Sequence, residues 1–477
     1  MKGRVCSIKM QRCKYIVSDL VMTAAAFFIF NICRYSILAR LRSNYEDLWQ
    51  YVLSDKLIFE DILIPLVMLG IYALSGFYNH PFQKSRLSVV ANTFCTAFIG
   101  AVCIYMVVLL NDIGMRRMDY LMILILMVLI FIFVYTGRYL ITRRFMDKLQ
   151  NREVVSSTLI IGNSDESRRM AHRIMSDRTQ LSRDIIGFIR LPDEEGENDV
   201  DDDARVWDLD QIADICAVEK PDQLVIATMH RSDRRVMEIV DSLLFLDIPI
   251  KIAPDTLSYV TSNIRLGDIM GTPFVDLTSP RLSDFQANLK RLLDVVASVL
   301  MLILLSPLLL CVAIMVKKSS KGPAIYSQQR LGRRQKPFTI YKFRTMILDS
   351  EPCGPRLTDD DDPRITSIGR FLRKYRIDEL PQLWNVLRGD MSLVGPRPER
   401  KFFVDQILEE APYFSLVYQI RPGITSWGMV KYGYASNVRQ MVERSRYELV
   451  YLNNMSIATD IKILAYTIRT VLSGQGK

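Results

Sequence analysis

Leu121-Met-Ile-Leu-Ile-Leu-Met-Val-Leu-Ile-Phe-Ile-Phe-Val134 carries no polar side-chain atom other than sulfur. It lies within an apolar stretch, Tyr120–Gly137, about as long as the roughly 20 residues a helix needs to cross the hydrocarbon layer. Three more stretches of this kind stand at Tyr15–Cys33, Ile62–Phe77 and Leu87–Leu110. Together they predict an α-helical membrane bundle of four spans over residues 1–137. The first is not read as a cleaved signal peptide, because no small-residue cleavage site ends it and similar spans follow. Lys and Arg number twelve in the N-terminal tail, the second loop (Lys84, Arg86) and the exit segment from Arg138 to Arg152. The first and third loops hold six. That asymmetry predicts that the N-terminus and everything after Arg138 face the cytoplasm.

A fifth apolar run, Val295–Val316, is interrupted only by Ser298, Ser306 and Pro307. It is basic on both sides, with Lys290/Arg291 before it and Lys317/Lys318 after it, whereas a spanning helix should have unequal flanks. Pro307 has no N–H, and its ring clashes with the carbonyl of Ile303. The Ser306-Pro307 pair therefore predicts a re-entrant helix, broken midway and lying near residues 292–316, with Ser306 satisfying a freed backbone group. A kinked transmembrane helix is the other reading; it would carry the C-terminal part to the far side.

Between these membrane segments, residues 138–285 alternate strand and helix patterns. Thr158-Leu-Ile-Ile-Gly162 reads as a buried strand running into a helix from Asp165. Further strands are read at Ile185–Ile189, Gln223–Ala227 and Pro249–Ile252, with a helix at Asp233–Leu246. This pattern argues for a parallel, Rossmann-like α/β domain. Its first turn, Gly162-Asn-Ser-Asp-Glu-Ser167, lacks the second and third glycines of a dinucleotide loop. Asp165 and Glu166 would also meet a pyrophosphate with like charge. A structural or regulatory role follows, and the eight carboxylates of Asp193–Asp203 read as a solvated loop.

Charge divides the chain the same way. Residues 1–137 carry 13 Lys/Arg against 8 Asp/Glu, residues 138–285 carry 19 against 27, and residues 286–477 carry 29 against 17. The three histidines, His80, His172 and His230, all precede the basic part. Acid–base or nucleophilic work there falls to carboxylates, thiols or hydroxyls. Eight cysteines with no Cys-x-x-Cys pair argue against a disulfide scaffold and a structural zinc site. The positive field suits an anionic partner: nucleic acid, a membrane surface or a phosphorylated substrate.

Lys317–Leu348 holds nine Lys/Arg and no acid. Beyond it, Arg373-Lys-Tyr-Arg-Ile-Asp-Glu-Leu-Pro-Gln-Leu-Trp-Asn-Val-Leu387 places Leu380, Leu383, Trp384 and Leu387 at helical spacing, predicting one buried face. Asp378 takes the N-cap position, with Pro381 in the first turn where a missing N–H costs nothing. Two adjacent carboxylates, Asp378 and Glu379, thus sit at the positive helix end beside Arg373, Lys374 and Arg376. Both are expected to stay ionised. An ionised carboxylate can attack phosphorus or hold Mg²⁺. As an isolated motif, the pair reads only as a cap.

Context changes that reading. Asp378-Glu-Leu-Pro-Gln-Leu-Trp-Asn-Val-Leu-Arg-Gly-Asp-Met-Ser-Leu-Val-Gly-Pro-Arg-Pro398 closely resembles the bacterial sugar transferase family, the monotopic polyprenyl-phosphate phosphoglycosyl transferases. So do Lys290-Arg-Leu-Leu-Asp294, Ser306-Pro307, Gln329-Arg-Leu-Gly332, Pro337–Met346, Arg421-Pro-Gly-Ile-Thr425 and Asp460-Ile-Lys-Ile-Leu464. The resemblance covers 286–477, and the four spans plus a Rossmann-like domain are similar to the long-form undecaprenyl-phosphate glucose or galactose phosphotransferases. It implies an α/β monotopic catalytic domain on the cytoplasmic face of a bacterial inner membrane, starting exopolysaccharide, O-antigen or capsule assembly.

By the same resemblance, Asp378 attacks the β-phosphate of a UDP-sugar, UMP leaves, and undecaprenyl phosphate then takes the sugar phosphate. Glu379 would bind Mg²⁺. Arg373, Arg397, Lys342, Arg344 and Asp460 are the candidate substrate- or phosphate-binding residues, with a structural role open for Asp460. The partners expected are the UDP-sugar, undecaprenyl phosphate and the lipid bilayer, not nucleic acid, and a homodimer is left open. One block departs from the pattern. After Thr425, many relatives continue Gly-Trp-Ala-Gln-Val-Asn-Gly-Arg, whereas this chain reads Ser426-Trp-Gly-Met-Val-Lys-Tyr-Gly433, without the arginine. Lys431 is a candidate substitute, and Tyr432 and Tyr434 are candidates for a sugar or uridine pocket, with core packing as the alternative. Two other classes compete. A membrane-anchored nucleotide-sugar dehydratase or epimerase would need an NAD loop and a Tyr-x-x-x-Lys pair, and 138–285 offers only Tyr139 and Tyr259. A non-catalytic membrane scaffold would need neither.

Overall fold

The structure, a computed structural model, describes residues 8–36, 47–79, 86–106, 116–150, 156–176, 183–191, 205–227, 233–246, 248–252, 275–276, 282–347 and 362–473. Asp193–Asp203, His80, His230, Tyr259, Lys84 and Arg152 lie outside them. Two compact units are present, Met1–Ser156 with Arg178–Asp184, and Ser157–Asp177 with Ile185–Lys477.

In the first unit, α1 (Ile8–Arg34), a short α2 (Leu48–Val52), α3 (Asp55–Leu74), α4 (Arg86–Ile104) and α5 (Arg116–Gln150) follow one another. Four of these, all but α2, are long and apolar enough to cross a membrane. Several boundaries move from the sequence reading. Helix α3 starts seven residues before Ile62 and ends at Leu74, leaving Phe77 in the turn. Helix α5 continues well past Gly137. Helices α1 and α5 approach closely at that glycine, where a Cβ would stand 2.6 Å from Ser18 Oγ. Leu126, Ile130 and Val134 of α5 pack into a core with Phe27, Phe30, Met68 and Ala97.

One charge belongs elsewhere than expected. Arg138, counted above as a flanking cation, is wholly buried in the bundle and forms a bidentate pair with the equally buried Asp19 of α1 (Nη2–Oδ2 2.7 Å). Flank charges and buried charges look alike in a sequence; only the partner tells them apart.

The second unit begins with a six-stranded sheet in the order β3-β2-β1-β4-β5-β6. Its strands are β1 (Ser156–Ile161), β2 (Arg183–Arg190), β3 (Val206–Asp208), β4 (Gln223–Ile226), β5 (Ile250–Ile252) and β6 (Val275–Asp276). Pairing is parallel for β1/β4, β2/β3 and β4/β5, and antiparallel for β5/β6. The connecting helices are α6 (Asp165–Ser176), α7 (Ile212–Glu219) and α8 (Asp233–Leu243). Strand β4 is buried at every position, as a central parallel strand must be. The sequence reading missed β3 and β6, at three and two residues too short to show a period.

Helices α9 (Asp284–Leu304) and α10 (Ser306–Ser319) meet at a bend of 64°. Ser306 Oγ donates to the Ile303 carbonyl at 2.8 Å, the group that Pro307 frees. A capping box between Ser283 and Gln286 starts α9. Behind this pair lie a hairpin of β7 (Ile325–Leu331) and β8 (Pro337–Phe343), then α11 (Ser367–Lys374) and α12 (Gln382–Arg388). Strands β9 (Ser392–Val394) and β10 (Gly423–Thr425) pair in parallel, with α13 (Lys401–Glu410) between them. The chain continues with α14 (Trp427–Lys431), α15 (Val438–Asn453) and α16 (Ile457–Leu472). The sheet region docks here: Leu416 packs against its core, and Gln335 Nε2 in the β7–β8 turn donates to Asp241 of α8 at 2.6 Å.

Candidate active site

Asp378 and Glu379 do not cap a helix. They lie inside a 3₁₀ turn, Ile377–Glu379, and the cap position of α12 falls on Pro381. The turn is displaced because Arg376 adopts φ +55°, a left-handed conformation that side-chain-bearing residues rarely take. Helix α12 also buries a different face from the one its spacing predicts. Gln382, Leu383, Asn385 and Val386 are buried, while Trp384 is 57% exposed. Asn385 is the reason: its side chain accepts from Tyr341 N (3.2 Å) and donates to Thr339 O (2.7 Å), supplying backbone partners to β8.

That docking brings Lys342 of β8 onto the carboxylate pair. Lys342 Nζ stands 2.7 Å from Glu379 Oε1, Arg397 Nη1 is 3.6 Å from the same oxygen, and Arg376 Nη1 is 3.6 Å from Oε2. All three cations are less than a fifth exposed. Burial would raise Glu379, but Lys342, Arg397 and Arg376 outweigh it and hold the carboxylate far below its usual range. Asp378 is pushed the other way, up to about 6, by burial first and then by the charge of Glu379, against the pull of Lys342, Arg373 and Arg376. The expectation that both stay ionised thus meets two opposite shifts: the cations favour the charged form of Glu379, while burial disfavours that of Asp378.

Arg373 on α11 is placed by its Nε–H bond to Thr345 Oγ1 (2.9 Å); burial lowers its guanidinium from the ordinary value, against the charge of Asp378. Helix α11 can reach that position because Gly369 lies against the Thr345 backbone: a Cβ there would stand 2.1 Å from the carbonyl oxygen. Arg344 does not join the cluster. Its guanidinium donates to the carbonyls of Ser320 (2.7 Å) and Lys321 (2.9 Å), closing the C-terminal end of α10. Asp460 also lies apart, paired with Lys290 Nζ at 2.5 Å and accepting from Tyr451 OH at 2.7 Å. Lys290 is one of three anchors at the start of the bent helix pair. Arg291 donates to Val386 O and Leu387 O at the end of α12 (2.7 and 3.1 Å). Asp294 accepts from Ser392 Oγ (2.6 Å) and Leu393 N.

In the block after Thr425, Lys431 is exposed and its ammonium lies over the rings of Trp427 and Tyr466. Tyr432 OH donates to Glu443 (2.8 Å). Tyr434 is the residue of this block that reaches the cluster: the Arg376 and Arg397 guanidinium groups stand 4.7 and 5.3 Å from its ring centroid. Tyr434, named above as a candidate for a sugar or uridine pocket, thus stands with the arginines of the cluster, and Arg376 is a member of it that sequence reading did not select as a site residue. The only signal was the density of arginine before Asp378.

Ser426 opens α14 by accepting from Met429 N, and it donates to the buried Glu448 at 2.6 Å. Burial raises Glu448 from 4.5 to about 7, against the bonds from Ser426 and Gly428 N–H and the charge of Arg444. An acid whose folded value lies above its unfolded one carries no penalty below about pH 4.5 and the full penalty above about pH 7. Stability is therefore lost across that window. Glu448→Gln is expected to raise the unfolding free energy by about 2–3 kcal/mol at pH 8 and to leave it nearly unchanged at pH 4.5, read from thermal unfolding at the two pH values. A gain equal at both pH values would contradict this origin.

A model of the bacterial sugar transferase family matches residues 285–474. The chain is 43% identical to the UDP-N-acetylgalactosamine-undecaprenyl-phosphate N-acetylgalactosaminephosphotransferase of Aeromonas hydrophila, over 41% of this chain and 46% of that protein. It is 35% identical to the UDP-glucose:undecaprenyl-phosphate glucose-1-phosphate transferase of Escherichia coli, over 54% of this chain and 56% of the relative. With the undecaprenyl-phosphate galactose phosphotransferase of Salmonella typhimurium the identity is 30%, over 67% of this chain and 68% of the other. The chain spans about half the length of the first two relatives and about two thirds of the third. A shared stretch of this extent, carrying the buried Asp378–Glu379 pair and its cations, places the chain in the bacterial sugar transferase family.

Proposed function

We propose that this chain transfers a sugar-1-phosphate from a UDP-sugar to undecaprenyl phosphate through a covalent intermediate on Asp378. The observation that carries the reading is a buried carboxylate, Asp378, beside a second one whose charge three cations already neutralise. Asp378 is left as the reactive group. One Asp378 oxygen bonds to the β-phosphorus, the bond from that phosphorus to the bridging oxygen breaks, and UMP departs with the electron pair. An oxygen of undecaprenyl phosphate then attacks the same phosphorus and the aspartyl bond breaks, regenerating the carboxylate. Neither step takes a proton from the nucleophile, so a basic region without histidine suffices. Arg373, Arg397 and Lys342 stabilise the phosphoryl oxygens as charge moves, while Arg344 and Asp460 serve the scaffold.

Among the described residues no three His, Cys, Asp or Glu stand together. Mg²⁺ is commonly held by one or two carboxylates together with substrate phosphates. The donor set fits that pattern: Glu379 would hold the ion with the diphosphate, and the ion would neutralise the diphosphate oxygens.

The same reading divides the chain into a membrane domain at 1–137, a Rossmann-like cytoplasmic domain at 138–285 and a catalytic domain at 286–477. The bent pair α9–α10 is read as re-entrant. In support, both of its ends are tied to one body, through Lys290, Arg291 and Asp294 at one end and Arg344 at the other. A spanning helix would separate those ends by a bilayer. The catalytic domain then faces the cytoplasm from the inner membrane, where UDP-sugars are made, and its product starts exopolysaccharide, O-antigen or capsule assembly. The nucleotide released is the test. Purified chain in native-lipid particles, given Mg²⁺, undecaprenyl phosphate and a panel of UDP-sugars, is expected to release UMP. Release of UDP would mean direct glycosyl transfer and would overturn the mechanism.

A further inference from the structure

Four partly buried cations, Lys342, Arg373, Arg376 and Arg397, surround two carboxylates, Asp378 and Glu379. Arg376 is the member of this set whose place needs explanation. Its backbone is left-handed, and its guanidinium faces both Glu379 Oε2 and the ring of Tyr434. Arg397, fixed between two prolines on a different segment, faces Glu379 Oε1 and the same ring. One aromatic ring thus meets two like charges that would otherwise repel, and the ring's negative quadrupole offsets that repulsion.

We infer that Arg376 is a third diphosphate-binding arginine, beside Arg373 and Arg397, and that Tyr434 is its positioning residue, holding Arg376 and Arg397 as a pair across the Asp378–Glu379 dyad. The inference rests on the transfer reaction proposed above and adds to it the groups that grip the diphosphate. Both guanidinium groups are 3.6 Å from Glu379, longer than a hydrogen bond, so each can turn to an arriving phosphate oxygen without breaking one. The ring acts through its face, and its hydroxyl is not required.

The test is calorimetric binding of UDP, in the presence of Mg²⁺, to the full chain in native-lipid particles. Arg376→Ala is expected to weaken UDP binding tenfold or more, and Tyr434→Ala three- to tenfold. Tyr434→Phe, which keeps the ring face, is expected to stay within twofold. UMP, which lacks the second phosphate, is expected to shift no more than twofold in any variant. The Arg376→Ala/Tyr434→Ala double variant is expected to lose less than the product of the single losses, because the two act through one contact. Arg376→Gln keeps the side-chain length and carries the same tenfold expectation if the alanine variant does not fold. Two results would overturn the inference: UDP affinity within twofold of the unchanged chain in the Arg376 variants, or a Tyr434→Phe loss as large as that of Tyr434→Ala. Failure of the underlying reaction shows separately, as an unchanged chain that releases no UMP from any UDP-sugar whatever these residues do to UDP binding.

Discussion

Asp378→Asn is expected to lower UMP release by about 10³–10⁵-fold while leaving the protein at least as stable as before. The two halves of that result come from the same feature. Burial and the charge of Glu379 raise Asp378 to about 6, so its ionised form is disfavoured in the folded protein at neutral pH. Removing the charge relieves that penalty, worth about 1–3 kcal/mol at pH 7, but it also removes the nucleophile. A thermal transition unchanged or raised, with UMP release lost, separates a chemical role from a structural one. Asp378→Glu refines the test, because it keeps the charge and lengthens the side chain by one methylene. A displacement of about 1 Å costs about 10²-fold when reacting atoms must be aligned. Loss of both stability and activity in Asp378→Asn would mean that the carboxylate holds the fold, as an ordinary turn residue does. Activity retained in Asp378→Asn would remove the covalent intermediate.

The legible parts of this structure are those decided by neighbours in the chain. Ser306 and the Ile303 carbonyl that Pro307 frees lie within one helical turn, so the break in the α9–α10 segment follows from local sterics. The four spans are legible because the bilayer demands an uninterrupted apolar length, and the parallel sheet because central strands are apolar throughout. What failed to show was set by distant partners. The periodicity of Leu380, Leu383, Trp384 and Leu387 points to a buried face, yet Asn385 turns α12 toward β8, residues 44 and 46 positions away, and leaves Trp384 outside. Arg344 resembles a substrate cation until the end of α10, 24 residues earlier, claims its guanidinium. Arg376 and Tyr434 meet across a separation no spacing rule addresses. The carboxylate pair itself was legible, but as a charge-dense helix cap and not as the 3₁₀ turn it occupies, and the left-handed Arg376 before it was not legible.

Arg138→Leu is expected to destabilise the membrane bundle by about 3–5 kcal/mol. Counted as a flank charge, the same arginine would change stability by no more than about 0.5 kcal/mol, so the variant decides between a surface and a core role. The structure gives Arg138 a partner from every spanning helix region around it. Its Nε and Nη2 bond Asp19 of α1 (3.1 and 2.7 Å), and Nη1 bonds Thr93 of α4 (2.9 Å). Its guanidinium stacks 3.7 Å from the Phe77 ring centroid, just past α3. Tyr78 OH closes the set with a 2.8 Å bond to Asp19. Leucine at 138 leaves Asp19 buried and unpaired, which is the costly outcome; the pair itself has little net worth, because two desolvated ions repay one another at best. Asp19→Asn combined with Arg138→Leu is therefore expected to recover half or more of the loss. Arg138→Lys, which keeps the charge but loses the fork and the flat face against Phe77, should fall between. Thermal unfolding in native-lipid particles measures all three. A double variant as unstable as Arg138→Leu alone would show that the hydrogen bonds to Thr93 and the stacking on Phe77, and not the buried charge of Asp19, hold the four helices in register.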